Sequence, residues 1–122
     1  MDNAKKSVLI VEDEALVRFL IVDEFEEAGF RVSESPTATE AIEVLKTQPE
    51  FDLLFTDIRM PGSVDGWELG RRARELHPDI TIIYATGYGV DDNQPVGRSF
   101  TIQKPYRFTE ISQLLEEIGM MR

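Results

Sequence analysis

The 122-residue sequence contains no cysteine, so it can form neither a disulfide framework nor a thiolate zinc site. Long hydrophobic runs are also missing. The first one, residues 8–11, is far too short for the core of a signal peptide or for a membrane helix. These absences lead us to expect a soluble cytoplasmic protein that has no membrane partner.

Basic residues are scarce as well. The chain has 13 Lys and Arg residues against 23 Asp and Glu residues, which gives a formal net charge of −10. Such a charge repels nucleic acid, because phosphate contacts require clustered lysine and arginine. The acidic residues are spread along the chain, and 42% of the residues are hydrophobic, as in a folded protein. We therefore expect one globular domain over residues 1–122, with no nucleic-acid partner.

Hydrophobic runs typical of strands alternate with patterns typical of helices. The predicted strands cover residues 8–11, 30–35, 52–56, 80–86 and 99–103. The predicted helices cover residues 15–28, 38–45, 67–76 and 108–118, and the spacing of Ala15, Leu16, Phe19, Leu20 and Ile21 supports the first. The glycine-rich segment 87–98 predicts a short or irregular fourth helix in a fivefold β-α repeat. Such a repeat indicates an α/β fold with a parallel sheet between two helix layers.

Polar residues follow four of the predicted strands. Glu12 and Asp13 come after the first strand, Asp57 after the third, Thr86 ends the fourth, and Lys104 follows the fifth. Because parallel strands end at one edge of the sheet, where such folds bind ligands, we expect these side chains to lie together. Each residue alone has a simpler interpretation, for example Asp57 as an ordinary turn acid. The combination favours a shared site.

Three carboxylates at one edge require a cation. Two carboxylates about 4 Å apart repel each other by roughly 4 kcal/mol at an effective dielectric constant near 20. Lys104 supplies one positive charge, and oxygen ligands without cysteine favour Mg²⁺ for the remainder. Magnesium, a lysine and an in-line carboxylate are the components of phosphoryl transfer, with Asp57 as the nucleophile.

Five short motifs at these positions resemble the receiver domain of two-component response regulators. They are VEDE at 11–14, TDIRMPG at 56–62, DG at 65–66, YATG at 84–87 and QKPY at 103–106. The resemblance covers the whole chain and implies a flavodoxin-like, doubly wound (βα)5 fold with strand order 2-1-3-4-5. YATG is also similar to the motif of a Phe-Ala-Thr-Gly subfamily of stand-alone receivers, with Tyr84 replacing the phenylalanine.

The resemblance also implies a role for each site residue. Asp57 is the phosphoacceptor. The implied Mg²⁺ ligands are Asp57, Asp13, Glu12 acting through water, and the backbone carbonyl of Arg59. The residues implied to hold the phosphoryl group are Thr86 and Lys104. The peptide bond between Lys104 and Pro105 is expected to be cis, which proline makes accessible.

The implied partners are a histidine kinase or histidine phosphotransfer protein as donor, and a downstream protein whose contacts change. Donor docking is expected at Ala15, Leu16 and Tyr106. On this reading the chain is a phosphoacceptor and not an enzyme. An unphosphorylated scaffold and a receiver fragment of a hybrid histidine kinase remain alternatives, although Met1 and the short chain favour a free-standing protein. A phosphatase with an aspartate nucleophile is least favoured, because Arg59 occupies the position of its general acid.

Three features depart from the family pattern, and one of them is the span from Thr86 to Lys104, which is short for a full fourth helix. The loop Gly62–Gly66 is one residue longer than usual, and Thr101 stands where receivers carry an aromatic switch residue. Arg18 could face a partner protein, but a surface arginine is the favoured interpretation.

Overall fold

The protein contains a single parallel sheet with helices on both faces. The structure is a computed structural model that describes residues 5–48, 50–87 and 97–121. The strands are β1 (Ser7–Val11), β2 (Arg31–Ser35), β3 (Leu53–Asp57), β4 (Thr81–Thr86) and β5 (Ser99–Gln103). The helices are α1 (Ala15–Glu27), α2 (Ala38–Thr47), α3 (Gly66–Leu76) and α4 (Phe108–Glu117). No helix in the described ranges is long and apolar enough to cross a membrane.

The strand order is β2-β1-β3-β4-β5, and every neighbouring pair is parallel. The expected fold class and strand order are therefore confirmed. The short or irregular helix predicted between β4 and β5 falls on residues 88–96, outside the described residues. The strand boundaries differ from the predictions by one residue at most. The difference that matters is Asp57, which belongs to β3 and pairs with Ala85 of β4.

Local sequence explains where the elements begin and end. The central strands β1 and β3 are almost wholly buried, as their continuous apolar runs predict, while the weakly alternating β2 lies at a sheet edge. Thr37 caps α2 by accepting a hydrogen bond from the backbone N–H of Glu40 at 3.1 Å, and Asp65 caps α3 in the same way. Gly29 terminates α1 with a φ of 97°, a conformation that favours glycine.

Each face of the sheet carries its own hydrophobic core. One core joins β1, β3 and β4 to α2 and α3; the other joins alternate residues of the same strands to α1 and α4. Phe25 of α1 lies at the centre of the second core, with its ring edge-on to those of Phe30, Phe55 and Phe108 at 5.1 to 5.8 Å. These two cores fix the sheet whose carboxyl edge carries the polar residues.

The buried face of α1 differs from the residues whose spacing suggested the helix. Ile21 and Phe25 are buried, whereas Leu16, Phe19 and Leu20 are 72%, 65% and 55% exposed. The helix therefore has a second apolar face, which no described residue of this chain covers.

A close contact joins α3 to β4. A Cβ atom added to Gly70 would overlap the hydroxyl group of Tyr84 and lie 2.7 and 2.9 Å from two of its ring carbons. The ring of Tyr84 is also in contact with that of Trp67, with the ring centroids 4.4 Å apart. Glycine at position 70 therefore makes room for the buried tyrosine that lies two residues before Thr86.

This packing predicts an unusual effect of alanine in a helix. Glycine to alanine within a helix normally stabilises a protein by up to about 1 kcal/mol. We expect Gly70→Ala to destabilise this protein by about 1–3 kcal/mol, because the methyl group has no space beside Tyr84. The measurement is the free energy of unfolding in urea. Combining Gly70→Ala with Tyr84→Phe should recover part of the loss, and a more stable Gly70→Ala single variant would contradict the packing.

Candidate functional site

The carboxyl edge of the sheet brings the predicted polar residues together. Glu12 and Asp13 follow β1, Asp57 ends the neighbouring strand β3, and Thr86 ends β4. Lys104 follows β5. The strand order changes direction between β1 and β3, the position at which flavodoxin-like folds, receivers among them, bind their ligands.

Three carboxyl groups meet at this position. Glu12, Asp13 and Asp57 each offer an oxygen, and these oxygens all lie within 4.8 Å of one another. Glu12 is 3% exposed and Asp57 is 7% exposed, whereas Asp13 is exposed. Two buried anions beside a third are costly without a cation, because burial removes the water that would screen them.

Among the residues that the structure describes, Lys104 is the cation that contacts the carboxylates of this cluster. Its Nζ lies 2.6 Å from Oδ1 of Asp57 and 2.7 Å from Oδ2. The backbone N–H of Lys104 donates to the carbonyl of Thr86 at 2.7 Å, so the lysine and the threonine are held side by side. The peptide bond between Lys104 and Pro105 is cis, as the resemblance implies.

Burial and neighbouring charge change the acidity of Glu12. Burial raises the pKa of Glu12 to about 7, and the negative charges of Asp57 and Asp13 act in the same direction. A hydrogen bond from the backbone N–H of Glu14 and the positive charge of Lys104 partly oppose the rise. Near neutral pH, therefore, a proton on the Glu12 carboxyl group would compete with a metal ion for this site.

The donor set fits a hard divalent cation. All three converging side chains offer oxygen, which Mg²⁺ and Ca²⁺ prefer, and no cysteine exists to attract a softer metal. A bound cation would also offset the charge that Lys104 leaves uncompensated. Arg59 follows β3 with an exposed side chain, and its backbone carbonyl remains a predicted ligand.

The backbone around Asp57 is held on several sides. The N–H of Ile58 donates to the carbonyl of Ala85 at 3.2 Å, and the N–H of Gly66 donates to the carbonyl of Ile58 at 2.7 Å. A Cβ atom on Gly66 would overlap the carbonyl oxygen of Asp57. Glycine thus allows the start of α3 to approach the strand end that carries the predicted phosphoacceptor. The DG motif marked this position, but its backbone contact was not predicted.

Arg18 is a second residue whose contact was missed. It lies at the surface with its side chain 18% exposed, and the contacts it makes there were not predicted. The guanidinium donates to the backbone carbonyl of Glu12 at 2.7 Å and to the carboxylate of Glu34 at 2.9 Å. A long side chain reaching a loop carbonyl leaves no periodic signal in a sequence.

A groove adjoins the acidic cluster between α1 and α4. Its volume is about 520 Å³. It is lined by Glu12, Glu14, Val17, Leu20, Ile21, Glu24, Lys104, Pro105, Tyr106, Phe108 and Ile111. The predicted docking residues Ala15 and Leu16 are exposed beside it, and Tyr106 is half-buried with its ring 5.8 Å from that of Phe55. Burial raises the pKa of the Tyr106 hydroxyl, as do the charges of Glu12 and Asp57, so this hydroxyl stays protonated.

Two of the departures from the family pattern lie in β5 and in the loop before α3. Thr101 is exposed on the edge strand β5, in register with Tyr84 of β4. The longer loop ends at Gly66, and its first residue, Gly62, has a φ of 107°.

Comparisons with known proteins agree with the family resemblance. A family model described as the response regulator receiver domain matches residues 8–116. The chain is 33% identical over 117 residues to the response regulator receiver protein CpdR of Brucella abortus, covering 93% of this chain and 96% of CpdR. It is also 33% identical over 121 residues to the sensor kinase CckA of Brucella abortus, covering 95% of this chain and 13% of CckA. A solved response regulator receiver protein from Sinorhizobium medicae matches with a TM-score of 0.80 at 29% identity, covering 93% of this chain and 94% of that one.

The raised pKa of Glu12 predicts that the metal-free protein loses stability as pH rises. The unfolded chain releases the Glu12 proton near pH 4.5, whereas the folded chain holds it up to about pH 7. Between these values the folded state binds more protons, so the free energy of unfolding falls with increasing pH. We expect Glu12 to contribute a fall of about 2–3 kcal/mol between pH 4.5 and pH 7 in EDTA, measured by urea unfolding.

The matched variants for this prediction are Glu12→Gln and Glu116→Gln. Glu12→Gln should flatten the fall, while Glu116→Gln, an exposed change in α4, should leave it unaltered. Equal slopes in the wild type and Glu12→Gln would contradict the burial effect.

Proposed function

Because this chain belongs to the response regulator receiver domain family, we propose that Asp57 accepts a phosphoryl group from a histidine kinase or histidine phosphotransfer protein. The observation that carries the proposal is the position of the Asp57 carboxylate, which is clamped by Lys104 within 4.8 Å of two further acids. Phosphoryl transfer uses a lysine and carboxylates around a metal ion, and this cluster provides the lysine and the carboxylates.

In the proposed step, one oxygen of the Asp57 carboxylate attacks the phosphorus atom of a phosphohistidine. The new O–P bond forms as the N–P bond breaks, and the donor imidazole leaves with the electron pair and takes up a proton. Lys104, 2.6 Å from the carboxylate, is placed to neutralise phosphoryl oxygens as they approach. When bound, Mg²⁺ would supply further charge neutralisation, held by Glu12, Asp13, Asp57 and the Arg59 carbonyl.

Thr86 is proposed to respond to the added charge. It ends β4, the strand beside β3, and its carbonyl already accepts the backbone N–H of Lys104. A phosphoryl group on Asp57 adds strong hydrogen-bond acceptors, and the Thr86 hydroxyl is the candidate donor. We propose that the contact changes the surface offered to a downstream protein. Receivers usually carry an aromatic switch residue at the position of Thr101, and here that position holds an exposed threonine. The proposed response would therefore not use the usual switch residue.

The alternatives are less well supported. A phosphatase with an aspartate nucleophile needs an acid two residues further on, and this chain has Arg59 there. A scaffold that is never phosphorylated would gain nothing from three carboxyl groups gathered at one edge of the sheet. The chain is similar to a segment of the sensor kinase CckA. The same chemistry could therefore also operate in a receiver domain that is part of a hybrid kinase. In either context we propose cytoplasmic location and no nucleic-acid contact.

The phosphoacceptor is tested by Asp57→Asn. We expect no labelling of this variant by acetyl phosphate or by a phosphorylated donor in the presence of Mg²⁺, because an amide is not a nucleophile for this step. The readout is Phos-tag electrophoresis, with hydroxylamine release identifying an acyl phosphate. Asp79→Asn, an exposed aspartate between α3 and β4, is the control and should label like the wild type. Full labelling of Asp57→Asn would rule out this acceptor.

The docking surface follows from the exposed face of α1. Leu16, Phe19 and Leu20 form an apolar patch, and the adjoining groove leads past Tyr106 to Lys104. A donor must bring its phosphohistidine to Asp57 in line, so its binding surface has to lie beside the cluster. The apolar patch lies on the helix that begins two residues after Asp13, and exposed apolar patches of this kind often mark binding sites for proteins.

We therefore expect Leu16→Ala to weaken phosphotransfer from a protein donor by about tenfold, the size of loss found at the minority of interface residues that dominate binding. Labelling by acetyl phosphate, which needs no docking, should be unchanged. Leu76→Ala is the matched control, since Leu76 is also an exposed leucine, 42% accessible, but at the far end of α3. Initial rates against a panel of the host's phosphorylated donors provide the measurement, and equal rates for both variants would exclude α1 as the docking surface.

A further inference from the structure

Three separate hydrogen-bonding groups hold Glu12, two through its backbone and one through its carboxylate. Its N–H donates to the carbonyl of Ser35 at 3.2 Å, which ties the end of β1 to the end of β2. Its carbonyl accepts a hydrogen bond from Nη1 of Arg18 at 2.7 Å. Its carboxylate accepts the N–H of Glu14 at 3.0 Å. Of these groups, Arg18 is the one that reaches the loop from the body of a helix.

Arg18 lies one turn inside α1, and its guanidinium spans two elements. While Nη1 binds the Glu12 carbonyl, Nε donates to Oε1 of Glu34 on β2 at 2.9 Å. The Arg18 side chain is 18% exposed and that of Glu34 is 50% exposed. A half-exposed ion pair contributes little to stability, whereas a charged donor on a loop carbonyl fixes the direction of that peptide.

The peptide that Arg18 holds is the one that joins Glu12 to Asp13. The orientation of this peptide decides whether the two side chains point to the same place. Both carboxylates must do so for their oxygens to meet that of Asp57 within 4.8 Å. Hydrogen bonds to metal-ligand residues commonly determine ligand geometry, and losing one typically costs 10–100-fold in affinity.

We propose that Arg18 is a positioning residue for metal binding, which holds the Glu12–Asp13 peptide so that both carboxylates face Asp57. The inference rests on the proposed function, since it assumes that these acids bind Mg²⁺. Arg18 would act on the orientation of the two carboxylates through its hydrogen bond to the Glu12 carbonyl. The cation whose charge acts directly on the cluster is Lys104, in contact with Asp57.

Three variants of the full chain separate geometry from charge. Arg18→Gln removes the guanidinium. Glu34→Gln removes the ion-pair partner but leaves the bond from Arg18 to the Glu12 carbonyl. Arg31→Gln removes one positive charge at the start of β2, the opposite end of the strand from the site. Each variant is titrated with Mg²⁺ by isothermal calorimetry, and its melting temperature is measured in EDTA.

We expect Arg18→Gln to raise the Kd for Mg²⁺ about tenfold. Glu34→Gln and Arg31→Gln should each change the Kd by less than about twofold. The melting temperature in EDTA reports any purely structural effect. A lower melting temperature of Arg18→Gln with an unchanged Kd would overturn the inference, as would an equal loss of affinity in Glu34→Gln or Arg31→Gln.

The wild type and Asp13→Asn distinguish failure of the inference from failure of the proposed site. Wild-type binding that Asp13→Asn abolishes, together with an unchanged Kd in Arg18→Gln, would overturn only the role of Arg18. A wild-type chain that binds no Mg²⁺ would overturn the proposed metal site and the role of Arg18 with it.

Discussion

The close approach of three carboxyl groups to one ammonium is the constraint on which the rest of the structure depends. Two carboxylates about 4 Å apart repel each other by roughly 4 kcal/mol at an effective dielectric constant near 20. Glu12 and Asp57 are also buried, which adds a desolvation penalty. Such an arrangement persists only because the surrounding structure holds it in place. The two hydrophobic cores hold the strand ends, and Lys104 offsets part of the charge.

The site could be predicted from sequence because strand ends are local features. Continuous apolar runs define β1, β3 and β4, and parallel strands bring whatever follows each run to one edge. The positions of Glu12, Asp57 and Thr86 follow from that rule alone. The strand order could not be predicted in this way, because no local pattern indicates which strands are neighbours. It came from the resemblance, and the sheet confirms it.

Other features depend on contacts between elements and could not be predicted. The reach of Arg18 to a loop carbonyl requires the position of α1 relative to β1 and β2. The close approach of Gly66 to Asp57, and of Gly70 to Tyr84, requires the position of α3 against the sheet. A glycine in a helical pattern is ambiguous by itself, because it marks either a weak helix or a close packing contact. The exposed apolar face of α1 could not be predicted for a related reason. The spacing of apolar residues indicates a helix but does not indicate which apolar face is buried.

Helix α1 links the two halves of the proposed function through its geometry. Leu16 and Arg18 are two residues apart, about 200° around the helix, so they point in nearly opposite directions. The leucine faces outward, and the arginine faces Glu12. A partner bound to the outer face would therefore act on the same rigid body that holds the Glu12 carbonyl. Since Phe25 anchors that helix in the core, α1 can bear a docking contact without losing its alignment on the acidic cluster.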